Sequence, residues 1–204
     1  MDTRSHWDHV YATRDPQQVS WFRTHLERSL ELIERAAPDR QASIVDVGAG
    51  QSTLVDDLLR LGYEDITVLE ISQAALDALK KRVGQSGAGV QWICGDVTET
   101  VLPDASFDLW HDRAVFHFLT EADQRSAYVE RVTNALKPGG SLIVSTFGPS
   151  GPERCSGLAT MRYDAASLGS EFGDRFRLVA SSLDLHETPS GAVQQFLSSW
   201  YRFS

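Results

Sequence analysis

Residues 43–50 have the sequence SIVDVGAG, which is the clearest indication of the fold. Its first five residues form a mostly apolar run with the length of a short buried strand. The two glycines after this run let the backbone turn sharply and approach a ligand, because neither has a Cβ atom. Ligands of open α/β sheets bind at this place, beyond the carboxyl end of a strand. We therefore expect a glycine-rich ligand loop directly after the first strand.

The alternation of strand and helix continues after this stretch. Further apolar strands are predicted at residues 66–69, 90–94, 107–111 and 141–145. Helices are predicted between them, at about residues 52–61, 72–83 and 121–136. Two extended segments follow at residues 176–184 and 192–203, and their connection at 186–191 is typical of a hairpin. The pattern predicts an α/β fold with a doubly wound, mostly parallel seven-stranded sheet and an antiparallel C-terminal hairpin.

Composition and charge exclude several classes of protein. The 28 acidic and 19 basic residues give a net charge of −9, which argues against a nucleic-acid partner. No apolar run approaches the roughly 18 residues of a membrane-spanning helix, and the first residues lack the apolar stretch of a secretory signal. The only cysteines are Cys94 and Cys155. We therefore expect no disulfide framework, no metal site, no membrane partner and a reducing, cytoplasmic compartment.

Three carboxylates are predicted to meet at the edge of the sheet that holds the glycine loop. Glu70 ends the second strand, twenty residues after Gly50, where it can accept hydrogen bonds from both hydroxyls of a ribose. Asp96 follows the third strand, where it can accept a hydrogen bond from the amine of an adenine. Asp46 lies inside the first strand and can reach an ammonium group.

The glycine loop does not fit a dinucleotide. Thr53 stands where the dinucleotide pattern has its third glycine, and the loop contains no basic residue for a phosphate. Ile71 and Val97 are apolar neighbours of the carboxylates and can flank an adenine ring. Together with the acids, these features predict a nucleoside that carries an amino acid.

These motifs make the sequence resemble the class I S-adenosylmethionine-dependent methyltransferases. The matching motifs, in the order and spacing of that family, are residues 45–50, 69–72, 95–97, 107–109 and 136–140. The resemblance implies S-adenosyl-L-methionine as the cofactor, S-adenosyl-L-homocysteine as its product, and the strand order typical of the family. The cofactor-binding residues that we assign on this basis are Asp46, Gly48, Ala49, Gly50, Glu70, Ile71, Asp96, Val97, His111 and Trp21.

The N-terminal part is expected to be helical and to cover this core. Residues 6–36 show helical spacing in two parts, and Pro16 with Asp15 as its N-cap is predicted to open the second helix. The expected organisation is a single domain at residues 1–204. It comprises a helical cap at 1–40, a cofactor-binding core at 41–147, and a substrate loop with closing antiparallel strands at 148–204.

Candidate catalytic residues follow the fourth strand. They are His111, Asp112 and His117, although a general base is needed only where the methyl acceptor arrives protonated. His111 could equally shape the floor of the pocket, and His117 could face the core. Trp21 could close over the cofactor as a lid or hold the N-terminal helices on the sheet.

The residues leave the acceptor open between a small molecule and a protein. Short insertions and the expected single domain, without a second domain for a protein partner, favour a small molecule. Residues 112–116, and the opening residues 7–11 with 21–22, are similar to protein lysine methyltransferases, which implies a lysine acceptor deprotonated by Asp112 or a neighbour. A further alternative is a module that binds S-adenosylmethionine without catalysis.

The loop after the fifth strand is expected to touch the substrate. Cys155 could bind a soft substrate or be an unreactive thiol. Arg154 or Arg162 could pair with a substrate carboxylate or remain solvated. The sequence does not indicate an oligomeric state.

Overall fold

The computed structural model describes residues 2–204, and Met1 lies outside them. The helices are α1 (Thr3–Thr13), α2 (Glu27–Ala36), α3 (Leu54–Arg60), α4 (Gln73–Val83), α5 (Ala122–Ala135) and α6 (Ala165–Phe172). The strands are β1 (Ile44–Val47), β2 (Ile66–Glu70), β3 (Gln91–Cys94), β4 (Phe107–Arg113), β5 (Leu136–Phe147), β6 (Arg154–Cys155), β7 (Leu158–Ala159), β8 (Phe176–Glu187) and β9 (Val193–Phe203). Strands β6 and β7 form a small antiparallel pair of their own.

The remaining strands of residues 2–204 form one seven-stranded sheet in the order β3-β2-β1-β4-β5-β9-β8. Strands β1 to β5 pair in parallel, whereas β9 runs antiparallel to both β5 and β8. The predicted doubly wound sheet with its C-terminal hairpin is confirmed. The strand order reverses between β1 and β4, where Asp46 pairs in register with His111. A ligand crevice forms beyond the strand ends at such a reversal.

Apolar side chains cover both faces of the sheet. On one face, buried residues such as Ile33, Leu58 and Leu79 of α2, α3 and α4 pack against β1 and β2. On the other face, α5 and α6 contribute to an aromatic cluster in which Trp110 Nε1 donates a hydrogen bond to Tyr128 Oη at 2.9 Å. Strands buried on both faces have continuous apolar sequences. For this reason the sequence reveals β1 and β2 clearly.

The N-terminal segment corrects one expectation. Pro16 does not open a helix: residues 14–26 form turns and bends, and α2 begins only at Glu27. Asp15 instead accepts a hydrogen bond from the backbone N–H two residues later, at 2.9 Å, which closes a local turn. The carbonyl oxygen of Trp21 accepts a hydrogen bond from an arginine at the end of β4. Contacts with the rest of the fold therefore shape this segment.

Candidate active site

A pocket opens at the carboxyl ends of β1 to β4, where the strand order reverses. Its covering wall comes from α1 and residues 14–26, which contribute the aromatic side chains of Trp7, Tyr11 and Trp21. The Trp21 ring meets the Trp7 ring edge-on, with centroids 5.8 Å apart. Trp21 thus lines the pocket and also packs on the N-terminal helix. Its position is compatible with both roles considered from the sequence, a lid over the cofactor and an anchor for the N-terminal helices.

The turn after β1 requires its two glycines. Gly48 and Gly50 have φ angles of +65° and +55°, in the left-handed region that other residues avoid. A Cβ atom on Gly48 would collide with the side chain of Val115, and one on Gly50 would collide with the hydroxyl of Tyr11. The bare backbone of this turn therefore fits closely against the elements that line the pocket.

Glu70 joins the glycine turn to the start of α4. Its carboxylate is 3% exposed and accepts hydrogen bonds from the backbone N–H groups of Gly50 and Ser72, each at 2.8 Å. Burial raises the pKa of Glu70 to about 7, although both backbone donors oppose the shift. Each carboxylate oxygen has a second lone pair beyond these bonds. The group can therefore accept two further hydrogen bonds from a ligand.

Asp46 and His111 form a buried chain between β1 and β4. Asp46 Oδ1 lies 2.7 Å from His111 Nδ1, and His111 Nε2 lies 2.9 Å from Ser29 Oγ. Both ring nitrogens are thus engaged within the protein, and the ring fixes the orientation of the Asp46 carboxylate. Asp46 is 2% exposed, yet its Oδ2 atom has no hydrogen-bond partner among the described residues. A buried carboxylate oxygen without a donor is costly unless a ligand supplies one.

Asp96 lies after β3 and lines the pocket together with Ile71 and Val97. Its Oδ1 atom accepts hydrogen bonds from Thr98 N at 2.8 Å and Thr98 Oγ1 at 2.7 Å. These bonds fix the carboxylate, and no described residue donates to its other oxygen. The predicted adenine-binding trio is therefore brought together at one end of the pocket.

Asp112 is not part of the pocket, contrary to its prediction as a catalytic base. Its side chain is fully buried and accepts hydrogen bonds from Val115 N at 2.9 Å, Phe116 N at 3.0 Å and Tyr128 Oη at 2.7 Å. Burial raises the pKa of Asp112 to about 6. Successive side chains of a strand point to opposite faces, so Asp112 points away from the face that His111 occupies. The carboxylate holds the loop after β4 in place.

His117 lines the pocket and is fully buried. Its Nδ1 atom accepts a hydrogen bond from Phe147 N at 3.1 Å. Because a backbone N–H can only donate, the neutral ring must hold its proton on Nε2. That atom has no partner among residues 2–204. Burial, and then the charge of Arg113, lower the pKa of His117 to about 3. His117 is therefore a hydrogen-bond donor and not a general base.

Arg113 is a pocket residue that the sequence reasoning missed. It is the last residue of β4, two positions after His111, and so lies on the same face of the sheet. Its Nη1 atom donates to the carbonyl oxygen of Trp21 at 3.2 Å, and its guanidinium lies 5.1 Å from the ring centroid of Phe196. Strand alternation beyond His111 was the signal that could have revealed it.

The loop after β5 contributes less than the sequence suggested. Cys155 lines the pocket, but burial raises the pKa of its thiol, so the thiol is neutral near pH 7. The side chain of Arg154 is exposed and donates to the carbonyl oxygen of Gly157. Arg162 forms an ion pair with Glu153 at 3.0 Å. Neither arginine lines the pocket, so the expectation that one of them binds a substrate carboxylate there is not supported.

Residues 2–204 were compared with the requirements of a metal site and of a membrane-spanning helix. No group of three or more His, Cys, Asp and Glu side chains in this part of the chain is placed to hold a metal ion. None of its helices has both the length and the apolar character needed to cross a membrane.

Comparison with known families gives one match. A family described as "Methyltransferase domain" matches residues 45–144, which run from β1 into β5. Among solved structures, Burkholderia thailandensis 1,6-didemethyltoxoflavin-N1-methyltransferase, with bound 1,6-didemethyltoxoflavin and S-adenosylhomocysteine, is similar with a TM-score of 0.75. The identity is 21%, and the match covers 98% of this chain and 87% of that chain. This similarity shows the fold.

Two curated relatives differ in the acceptor that their names state. The chain is 24% identical over 138 residues to the eEF1A lysine and N-terminal methyltransferase of Mus musculus, covering 68% of this chain and 19% of that protein. It is 32% identical over 128 residues to the malonyl-[acyl-carrier protein] O-methyltransferase of Halalkalibacterium halodurans, covering 61% of this chain and 46% of that protein. The chain thus spans less than half the length of either relative.

Proposed function

Because the chain belongs to the class I S-adenosylmethionine-dependent methyltransferases, we propose that it transfers the methyl group of this cofactor to a small-molecule acceptor. The family and the cofactor are those that the sequence motifs predicted. The observation that supports the small acceptor is the chemistry of the pocket wall beyond Asp46 and His111. That wall is aromatic and contains one cation, Arg113, but no carboxylate from the described residues.

The residues of the pocket fit S-adenosylmethionine. The unpartnered Oδ2 atom of Asp46 can accept a hydrogen bond from the methionine ammonium, and Glu70 can accept from the two ribose hydroxyls. Asp96 can accept from the adenine amine while Ile71 and Val97 flank the ring. The backbone of the turn Gly48-Ala49-Gly50 gives the close approach that the amino-acid part needs, with Trp21 as a covering wall. His111 holds Asp46 in position.

The chain's own contribution to the reaction is alignment and exclusion of water. When bound, S-adenosylmethionine supplies an electrophilic methyl group on a sulfonium. The aromatic side chains of Trp7, Tyr11 and Trp21 shield the pocket from solvent on the side of α1 and residues 14–26. His117 and Phe118 of the 3₁₀ turn and Phe147 at the end of β5 also line the pocket, and the ring of Phe118 meets that of Trp7 with centroids 5.2 Å apart. An acceptor that arrives deprotonated needs no further catalytic group in this arrangement.

A protein lysine acceptor is the second candidate, and one observation favours it. The relative from Mus musculus, named for eEF1A lysine and N-terminal methylation, matches 68% of this chain. A lysine ammonium, with an ordinary pKa of about 10.4, would need a base or strong desolvation near pH 7. Asp112 is turned away from the pocket, and Arg113 would repel the ammonium. The orientation of Asp112 and the positive charge of Arg113 weigh against a lysine acceptor.

A radiolabelled methyl-transfer assay separates the candidates. An extract of the cells that express the protein is divided into macromolecules and small molecules, and each fraction is incubated with the enzyme and methyl-labelled S-adenosylmethionine. We expect enzyme-dependent label in the small-molecule fraction, and no such label with a Gly48→Ala variant. Label in protein alone would overturn the proposal in favour of a lysine acceptor. Cofactor binding without label in either fraction would favour a non-catalytic module.

A further inference from the structure

We propose that the acceptor carries a carboxylate group, which the guanidinium of Arg113 binds with the Nε2–H group of His117 as a second donor. This inference deepens the proposed function and rests on it, because it names the chemical class of the small-molecule acceptor. It depends on three features of the pocket: an arginine without an acidic partner, a histidine that can only donate, and the separation of these donors from the acids.

Arg113 has more hydrogen-bond donors than partners. A guanidinium offers five N–H donors, yet the only described side-chain bond of Arg113 is the one to Trp21 O at 3.2 Å. No described carboxylate lies within 4.0 Å of it, whereas other arginines such as Arg28 and Arg82 form ion pairs. Burial, and then the charge of Arg23, lower the pKa of Arg113 to about 10. It therefore remains a cation near pH 7, partly buried and without a counter-charge.

Such a cation is stabilised by an anionic ligand. A partly buried charge without an opposite charge is unfavourable, and a carboxylate can accept two parallel hydrogen bonds from a guanidinium. The ring of Phe196 covers one side of the guanidinium at 5.1 Å from its centroid. Packing on this ring fixes the plane of the donors. Arg113 is thus held in position for an anion that enters from the pocket.

His117 adds a second donor on the same wall. Its Nδ1 atom is occupied by Phe147 N–H, so the buried Nε2–H group of this pocket-lining residue is left without a protein acceptor. The ring stacks on Phe147 with centroids 4.3 Å apart and an interplanar angle of 22°, which fixes its orientation. A neutral N–H donor that lines the same pocket as a guanidinium suits a carboxylate oxygen and does not suit an ammonium.

The donors and the acids of the pocket occupy different strands. The carboxylates of the described pocket residues are Asp46, Glu70 and Asp96, on or after β1, β2 and β3. Arg113 ends β4 and pairs in register with Ser145 of β5, so it lies beyond the strands that hold the acids. Because the cofactor's ribose and adenine fit the acids, this position assigns Arg113 to the acceptor. The methionine carboxylate of the cofactor is the competing source of the same chemistry.

The test divides the small-molecule extract by charge before the reaction. A quaternary-ammonium resin at pH 8 retains anions, and the retained and unretained fractions are each incubated with the enzyme and methyl-labelled S-adenosylmethionine. We expect the label to depend on the retained fraction. We expect Arg113→Gln to lower that rate at least 50-fold, Arg113→Lys to lower it less, and Arg177→Gln, a change of an exposed arginine on β8, to leave it unchanged.

Calorimetry with S-adenosylhomocysteine identifies the source of the carboxylate. For an acceptor carboxylate, Arg113→Gln changes this affinity by less than twofold, which also shows that the variant is folded. A loss of tenfold or more in a folded variant would assign Arg113 to the methionine carboxylate and overturn the inference. Label only from the unretained fraction, undiminished after the carboxylates of that fraction are esterified, would overturn it while leaving the small-molecule function intact. Label only in protein would overturn the proposed function itself.

Discussion

The two halves of the pocket differ in the sign of their chemistry. The acidic half consists of Asp46, Glu70 and Asp96, at the ends of β1, β2 and β3, and the donor half consists of Arg113 and His117, on and after β4. Apolar side chains line both halves, so the charged and polar groups distinguish them. The reversal of strand order at β1 and β4 thus separates acidic side chains from hydrogen-bond donors, and the two binding roles that we propose follow this division.

The largest loss of cofactor binding is expected from a change in the backbone of the acidic half. Gly48→Ala forces a left-handed residue, at a cost of about 1–2 kcal/mol, and drives a Cβ atom into Val115. We expect the affinity for S-adenosylhomocysteine to fall at least 100-fold in calorimetry. Gly62→Ala is the matched control, because Gly62 also has a positive φ of +89° but no atom within 4 Å of the added Cβ. An equal loss in both variants would show that backbone strain alone is responsible.

Asp46→Asn tests which part of the cofactor the acidic half binds through Asp46. The asparagine oxygen can still accept a hydrogen bond from His111. The negative charge of the carboxylate is lost, and with it the unpartnered Oδ2 atom that would accept from the ammonium. A hydrogen bond to a charged group contributes roughly 1.5–3 kcal/mol, so the affinity for S-adenosylhomocysteine should fall about 10- to 100-fold. Binding of 5′-methylthioadenosine, which has no amino-acid part, should change less than twofold. Similar losses for both ligands would remove Asp46 from the ammonium site.

The pH dependence of cofactor binding should report Glu70. Its pKa in the folded chain is raised to about 7, so at pH 6 most of the group is protonated and must lose its proton to accept two ribose hydroxyls. Affinity for S-adenosylhomocysteine should therefore fall about tenfold from pH 8 to pH 6. In the ligand-free chain the sign is opposite: the contribution of Glu70 to stability decreases as pH rises from about 4.5 to 7.

A Glu70→Gln variant isolates this effect, because the amide does not titrate. We expect its binding profile between pH 6 and pH 8 to be flat and its affinity to be lower at pH 8. A wild-type profile that is equally flat would show that the ionised carboxylate is not what the cofactor requires.

The smallest effect on the pocket is expected from Asp112→Asn. The amide cannot accept all three hydrogen bonds from Val115, Phe116 and Tyr128, so the free energy of unfolding should fall by about 1–3 kcal/mol. Turnover and affinity for S-adenosylhomocysteine should stay within twofold. Chemical denaturation and a methyl-transfer assay check the two statements, with exposed Asp104→Asn as the control. Abolished turnover in a stable Asp112→Asn variant would restore Asp112 as a base.

The sequence predicts the acidic half better than the donor half, for a physical reason. Asp46 lies within the apolar strand β1, next to the glycine turn, and Glu70 ends the apolar strand β2. Because both strands are buried and parallel, the local sequence pattern already predicts that the two carboxylates lie at the same edge of the sheet. The placement of Arg113 inside the pocket, and of Asp112 outside it, depends on which face of β4 meets the pocket. That face is set by the register of Asp46 with His111, a long-range pairing that no local pattern contains.

The N-terminal segment was mispredicted for the same reason. Pro16 and the apolar residues after it have helical spacing, but the structure of residues 14–26 depends on contacts with distant elements. One of these is the bond from Arg113 to the carbonyl oxygen of Trp21. Tertiary contacts of this kind override a helical pattern that is only local.

The most direct test of the division between the two halves is a calorimetric titration of S-adenosylhomocysteine into Glu70→Ala and Arg113→Gln, with exposed Glu64→Ala as the control. Removal of the Glu70 carboxylate deletes charge-assisted hydrogen bonds worth roughly 1.5–3 kcal/mol. We predict a loss of tenfold or more for Glu70→Ala and a change of less than twofold for Arg113→Gln. Unchanged affinity in a folded Glu70→Ala variant, together with a tenfold loss in Arg113→Gln, would contradict the assignment of the acids to the cofactor.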